Sequence, residues 1–589
     1  MFKYPLKYLL IILIFSNLVT NAQLKISHIQ LNQVGFYPFA PKVAVLTIAV
    51  NANQFFVLSA NLKDTVFNGQ LSQPIQSLNS ATVTRIADFS SFTKDGNFVI
   101  AVPGAGNSYP FKISKNVSHL AGIAVLKGYY FQRASMSLLP AFAGKWNRPA
   151  GHPDTAVIVH SSAASFNRVA GTVISSTGGW YDAGDYNKYI VNSGITMGTM
   201  LSAYEDFPSF YNKLKTNIPE SGNDVPDILD EIIYNLRWMM SMQDPSDGGV
   251  YNKCTNADFD GMVMPGVTKK PRYVVQKGTA ATLDFSAVMA QSSRILQQYK
   301  RQLPGFADSC LTAAKKAWQW AVLNPSLAYD QNEINKTNSP KITTGGYGDN
   351  NFNDELFWAA SELFTTTKDD QYLPAIQKEI KNTIKLPSWA NVQMLGLYTL
   401  FRKKNALPKN VYPLLEEAQK QFMSFANNLT KNVEQNAFKT VMGQTKNDFN
   451  WGSNSNAANQ SIVLINAYLL TKNKKYIDQA LTNLDYILGR NATGFCFVTG
   501  TGTKSTTHPH HRQSVADNIA DPVPGLLAGG PNPGKQDKCA YDFSESETTY
   551  ADIDCSYASN EIAINWNAPL VYLANAIEAL QFEVGYSKK

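Results

Sequence analysis

Two aspartates, Asp182 and Asp185, stand three residues apart in Gly178-Gly179-Trp180-Tyr181-Asp182-Ala183-Gly184-Asp185-Tyr186-Asn187-Lys188-Tyr189. The glycines allow a tight turn, and four aromatic residues place rings around the acids. Only Lys188 is close enough in sequence to neutralise either acid, so both cannot be buried as ion pairs. Two carboxylates among rings suit a site that binds a neutral polyhydroxylated ligand and activates a water. A calcium-binding turn and a helix N-cap with a spare acid are the alternatives on this stretch alone.

Further chemistry lies in other loops. Gly345-Gly346-Tyr347-Gly348-Asp349 and Asn450-Trp451-Gly452-Ser453-Asn454 are polar, Gly-rich segments carrying a ring. His508-Pro509-His510-His511-Arg512 gathers three of the chain's seven histidines beside an arginine. Such a cluster can hydrogen-bond sugar hydroxyls or hold a metal; with no cysteine or carboxylate at ligand spacing beside it, sugar binding is the preferred reading. Trp180, Trp451 and Trp566 are candidate sugar platforms or, equally, core residues.

These loops need a large scaffold. The 589 residues exceed one ordinary domain, and two or more are expected. From Lys25 to Ser114, short alternating runs read as strands: Lys42–Ala49, Gln54–Ala60, Ala81–Phe89, Gly96–Pro103 and Ser108–Ser114. That spacing suggests an immunoglobulin-like sandwich over 23–115. The remainder, 116–589, carries about twelve segments of helical period, among them Phe285/Val288/Met289/Leu296 and Leu570/Leu573/Ala574/Ile577. No short repeat argues for a solenoid, so a closed α/α barrel, with its site in long loops at one end, fits better.

Residues 1–22 read as a secretory signal, with Lys3 and Lys7, an apolar run from Leu9 to Phe15, and Ala22 before Gln23. Removing it lowers the net charge from +7 to +5, a mild excess without a basic cluster, so nucleic acid and membrane partners are not expected. The chain is expected to be exported, soluble and monomeric. Five cysteines are too few to staple it; Cys539 and Cys555 could pair across a loop.

Taken together, the motifs resemble glycoside hydrolase family 9, the inverting cellulases. The pattern Tyr550-x-Asp552, Tyr557, Glu561-x-Ala563, Asn567-Ala568 falls at that family's signature spacing, and the Asp-Ala-Gly-Asp-Tyr turn, the Trp-Gly-Ser-Asn loop and Pro509-His510-His511-Arg512 occur in its order. Asn32-Gln33-Val34-Gly35-Phe36 is similar to the start of the immunoglobulin-like domain preceding the barrel in one branch. The resemblance implies an (α/α)6 barrel that hydrolyses β-1,4-glucosidic bonds in cellulose, related β-glucans or cello-oligosaccharides, endo-acting and with inversion. It assigns Asp185 as catalytic base, Asp182 as the acid sharing the water, and Glu561 as general acid. His510 and Asp552 take supporting roles, and Arg512, Trp451 and Tyr557 line the sugar. An inverting pair implies a carboxyl separation of roughly 6.5–9.5 Å. An exo-acting glucosidase or glucosaminidase of the same family, or a non-catalytic glycan-binding protein, are the alternatives.

The chain departs from the family where many relatives bind structural zinc. The matching positions are Ala134, Gly151, His152 and Tyr181, so one imidazole remains and zinc is not expected. No cofactor is required by this reading. A structural calcium is allowed, with Asp224, Asp227, Asp230 and Glu231 as candidates that could equally cap a helix.

Overall fold

The computed structural model describes residues 27–589; the signal segment at 1–22 lies outside them. The N-terminal part is a sandwich of two sheets. One orders strands Ile29–Gln30, Val43–Leu46, Val83–Asp88 and Ile75–Gln76; the other orders Gly35–Phe36, Phe111–Ile113, Gly96–Val102, Gln54–Ser59 and Thr65–Gln70. Alternate residues from both sheets, Ala44, Leu46 and Ala87 from one and Phe55, Val57, Phe98, Ile100 and Phe111 from the other, fill the space between them. The five strands read from alternation are present. Thr65–Gln70, absent from that reading, is a largely exposed edge strand carrying no buried stripe.

The rest is an (α/α)6 barrel. Its inner ring runs through helices Ile190–Asp206, Thr279–Leu296, Asn353–Thr367, Gln393–Arg402, Ser453–Thr471 and Ile564–Leu580, the last closing against the first. Each is backed by an outer helix: Asp227–Ser241, Phe306–Leu323, Leu373–Glu379, Tyr412–Leu429, Lys474–Ile487 and His119–Phe131 respectively. Sequence explains the layering. Ile190–Asp206 is buried from Ile190 to Tyr204, and its Ser, Thr and Gly residues let neighbours approach on every side. Tyr412–Leu429 buries only Leu415, Ala418, Phe422 and Ala426, a single stripe facing inward. A small sheet, ordered Val173–Ile174, Val157–Val159, Tyr273–Val274, Lys253–Thr255 and Lys188–Tyr189, sits over one end of the barrel. Its last strand runs directly into the inner helix at Ile190, so it holds the Asp182–Asp185 turn in place.

The sandwich is bound firmly to the barrel. Asn32 Nδ2 donates to Asp485 Oδ1 at 2.8 Å, Tyr37 OH to Glu578 Oε2 at 2.6 Å, and Thr84 Oγ1 to the Ala437 carbonyl at 2.7 Å. Val45 and Ile86 pack with Ala437 and Phe438. Exposing large side chains of this kind costs about 1.5–3 kcal/mol each. Deleting residues 23–114 is therefore expected to give insoluble barrel, or barrel with a melting temperature more than about 10 °C lower. An isolated barrel of undiminished melting temperature that merely lost glucan affinity would mark the sandwich as a binding module.

Candidate active site

The Asp182–Asp185 turn is fixed from below and from both sides. Gly179 lies at φ 79° with Trp238 against it, where a Cβ would come within 2.6 Å of the ring. Gly184 leaves no room either, since a Cβ there would meet the His510 carbonyl oxygen at 2.2 Å. Gln132 Nε2 donates to the Ala183 carbonyl, and Arg512 Nη1 to the Gly184 carbonyl at 2.8 Å. The Ile564 amide donates to the Asp182 carbonyl at 2.8 Å, and the Gly184 amide to Glu561 Oε1 at 3.3 Å. The fold thus brings Glu561, almost four hundred residues further along the chain, to the Asp182–Asp185 turn.

Each carboxylate has its own surroundings. Asp182 is buried, with Asn192 Nδ2 donating to both oxygens at 2.9 and 3.0 Å and Tyr347 OH donating to Oδ2 at 2.9 Å. Burial, then the Asp185 charge, push its pKa up to about 8. Asp185 takes its hydrogen bonds on Oδ2, from Asn187 Nδ2 and from Tyr189 OH at 3.2 Å. Glu561 is raised well above the carboxylate range by burial, then by Asp185 and Asp182. Its neighbours Ile562, Ala563 and Ile564 are buried and give it an apolar setting. Its backbone is held between the His510 and Ala528–Gly529 segments, with Gly529 N donating to its carbonyl at 2.8 Å. Burial and the neighbouring charges thus favour the protonated forms of Asp182 and Glu561.

Lys188, the one nearby cation in sequence, serves neither acid. Its ammonium pairs with Asp154 at 2.7 Å and donates to the Ser176 and Gly178 carbonyls.

Aromatic residues flank the acids on two sides. Trp451 is exposed, its ring 5.6 Å from Tyr557, which stands 5.7 Å from the His510 ring. On the Asp182 side, Tyr347 stands 5.5 Å from Trp389. Tyr347 and Trp389 were not singled out from sequence, although the Gly345–Asp349 loop was. Trp180 is not a platform: it is wholly buried against Tyr129, with Nε1 donating to Glu231. Trp566 packs beneath Gly452 and Gly529.

The three histidines do not act as one group. His511 is buried, bonded to Gln132 Oε1 at 3.1 Å and Ser514 Oγ at 2.9 Å, and braces the turn through Gln132. His508 is exposed beside Asp552. Only His510 faces Tyr557, with Nδ1 on the Asp554 carbonyl. Arg512 spends Nε and Nη1 on the Asp260 and Gly184 carbonyls, so it clamps the turn. Asp552 accepts from the Thr507 and His508 amides and from Asn560 Nδ2 at 3.1 Å, which fixes the residue before Glu561. Cys539 and Cys555 form a disulfide with Cα atoms 6.3 Å apart, closing the loop that carries Tyr550 and Asp552.

The positions matching a zinc site do not fit one. His152 Nδ1 bonds Tyr181 OH at 2.9 Å and Nε2 faces Asp260 at 3.4 Å, while Ala134, Tyr181 and Tyr186 pack together. The acids considered for calcium also fail to converge. Asp227 accepts from Thr216 and Ser221, and Glu231 pairs with Arg133 at 2.9 Å. A different set does cluster: Asp284, Asp354 and Glu355 are buried, and burial, then the neighbouring carboxylates, raise their pKa. Both oxygens of Asp284 and of Glu355, Asp354 Oδ1 and Asp349 Oδ2 have no hydrogen-bond partner. No three such groups stand at ligating distance among the described residues, so an ion would have to draw them together.

Comparison with known proteins agrees with this architecture. Residues 121–574 match the glycosyl hydrolase family 9 and residues 25–107 the cellulase N-terminal Ig-like domain. The chain is 45% identical over 553 residues to a xyloglucan-specific endo-β-1,4-glucanase of Bacteroides ovatus, covering 94% of each chain. It is 33% identical to endoglucanase D of Acetivibrio thermocellus, over 93% of this chain and 82% of that one. A solved Bacteroides ovatus family 9 structure superposes with a TM-score of 0.90 at 44% identity, over 94% of this chain and 99% of that one. Fold and site together define a carbohydrate-cleaving enzyme of the inner-and-outer helical barrel type. The chain belongs to glycosyl hydrolase family 9, in the branch that carries an N-terminal immunoglobulin-like domain.

Proposed function

We propose that this chain is an exported, monomeric endo-β-1,4-glucanase that hydrolyses cellulose-type or xyloglucan-type β-glucans by single displacement. The observation that carries the chemistry is the meeting of Asp182, Asp185 and Glu561 at one turn, where the Gly184 amide between the two aspartates donates to Glu561 Oε1. The names of the related endoglucanases support the substrate class. Glu561 gives its proton to the glycosidic oxygen as the bond to the anomeric carbon breaks. Asp185 takes a proton from the water attacking that carbon, and Asp182 hydrogen-bonds the same water. Trp451, Tyr557 and His510 offer apolar faces and a polar edge to the sugar ring. Export is inferred from the leader at 1–22; among the described residues no helix is long and apolar enough to cross a membrane.

Product analysis on a cello-oligosaccharide ladder and on xyloglucan tests the endo reading. Mid-chain fragments are expected first; glucose released singly from one end would assign exo action.

The orphaned oxygens of Asp284, Asp349, Asp354 and Glu355 suit a hard divalent cation, and calcium is the proposed occupant. It would offset their repulsion and tie the helices Thr279–Leu296 and Asn353–Thr367 together, with no part in bond cleavage. Chelation is expected to lower the melting temperature by about 5 °C or more, and calcium to restore it. In Glu355→Ala the chelator should have no such effect. An unchanged melting temperature in the chelated wild type would remove the ion from the account.

A further inference from the structure

Lys253 is wholly buried without an acid to pair with. It lies on the strand Lys253–Thr255, directly opposite Tyr189 in the antiparallel register that leads out of the catalytic turn. Its Nζ donates to Gln331 Oε1 at 2.6 Å, Thr344 Oγ1 at 3.0 Å and the Gly345 carbonyl at 2.6 Å. The Tyr189 and Tyr329 rings lie 5.5 Å from it. Burying an ammonium against neutral acceptors is costly, and burial draws its pKa down to about 7, opposed by the charge of Asp185. A side chain kept at such cost calls for a use.

The contacts lead to Asp185. The Gly345 carbonyl is held by Lys253, and the Gly345 amide donates to Tyr189 OH at 3.1 Å. That hydroxyl donates in turn to Asp185 Oδ2. Asn187 Nδ2 donates to the same oxygen, and Asn187 Oδ1 is fixed by Thr255 Oγ1, Asn256 N and Arg272 Nη1. Oδ2 is therefore spent on the scaffold, which leaves Oδ1 for the water.

We propose that Lys253, acting through Gly345 and the Tyr189 hydroxyl, is a positioning residue for Asp185. The proposal rests on the reading of Asp185 as the base. The titratable groups that interact with Asp185 are Asp182, Glu561, Lys253, His510, Tyr189 and Tyr347, and Lys253 supplies the cation among them. A cation held back behind Gly345 and the Tyr189 hydroxyl favours the carboxylate and fixes its rotamer. In direct contact it would occupy the oxygen that must accept the proton.

The test is the pH dependence of kcat and KM for Tyr189→Phe and Lys253→Met, beside Asp185→Asn, with melting curves for each. In both positioning variants kcat is expected to fall about tenfold with KM within about twofold, because the base is misplaced while the sugar contacts remain. Losing a donor or a cation raises the proton affinity of Asp185, so the acid limb of kcat/KM moves to higher pH by about half a unit or more. Should Lys253→Met fail to fold, Tyr189→Phe, which keeps the ring, decides. A wild-type acid limb in folded variants, with or without lost rate, overturns the proposal while an inactive Asp185→Asn leaves the base reading intact. An active Asp185→Asn would instead overturn that reading.

Discussion

Asp185→Asn is expected to lose hydrolysis of every glucoside, natural or activated, by about a thousandfold or more. An amide keeps the shape of the carboxylate and can still meet Asn187 and Tyr189, but it cannot accept a proton from water. Good leaving groups do not rescue it, because water must still be activated once the bond begins to break. Asp182 does not substitute: Asn192 and Tyr347 hold its carboxyl in place, and its burial, which the substitution leaves unchanged, raises its pKa. Steady-state rates on a cello-oligosaccharide and on an aryl cellobioside, with circular dichroism to show folding, check this. Appreciable activity on either substrate would contradict it.

Glu561→Gln is expected to separate the two substrates. Without a proton to give, hydrolysis of unactivated glucan should fall by about a hundredfold to ten-thousandfold. Aryl glucosides with acidic leaving groups, which depart without protonation, should keep much of their rate. The pH profile adds a second mark. Glu561 binds its proton more tightly than an ordinary glutamate because it is buried and faces Asp185 and Asp182. The working form is the protonated acid, so wild-type activity falls as pH rises through that raised pKa. Gln cannot titrate, so the alkaline limb should vanish from the variant's profile on activated substrates. Equal loss on both substrate classes would point to a different acid.

Much of this site was readable before any coordinates because its parts are marked by local chemistry. The paired-acid turn alone leaves structural alternatives open, but four motifs in one order point to one family. The barrel was equally legible, since an outer helix such as Tyr412–Leu429 buries one stripe, Leu415, Ala418, Phe422 and Ala426. What stayed hidden lacked a period or a direction. Strands of two or three residues, such as Lys188–Tyr189 and Lys253–Thr255, are too short for alternation to be seen. The adjacency of His508, His510 and His511 says nothing of where each ring points, and the fold sends them to solvent, site and core. Trp180 and Trp451 look alike in sequence, yet one is core and the other exposed. Lys253 stands beside polar Asn252 and Thr255, and Asp284 between Leu283 and Phe285, and only the fold shows that both are wholly buried.

The central claim is that Glu561 and Asp185 act from opposite sides of the sugar in one displacement. An NMR time course on a cello-oligosaccharide, recorded before mutarotation, tests it most directly. The account predicts α-anomer as the first product at the new reducing end of the β-linked substrate. First-formed β-anomer would contradict it and assign a covalent, retaining mechanism to this site.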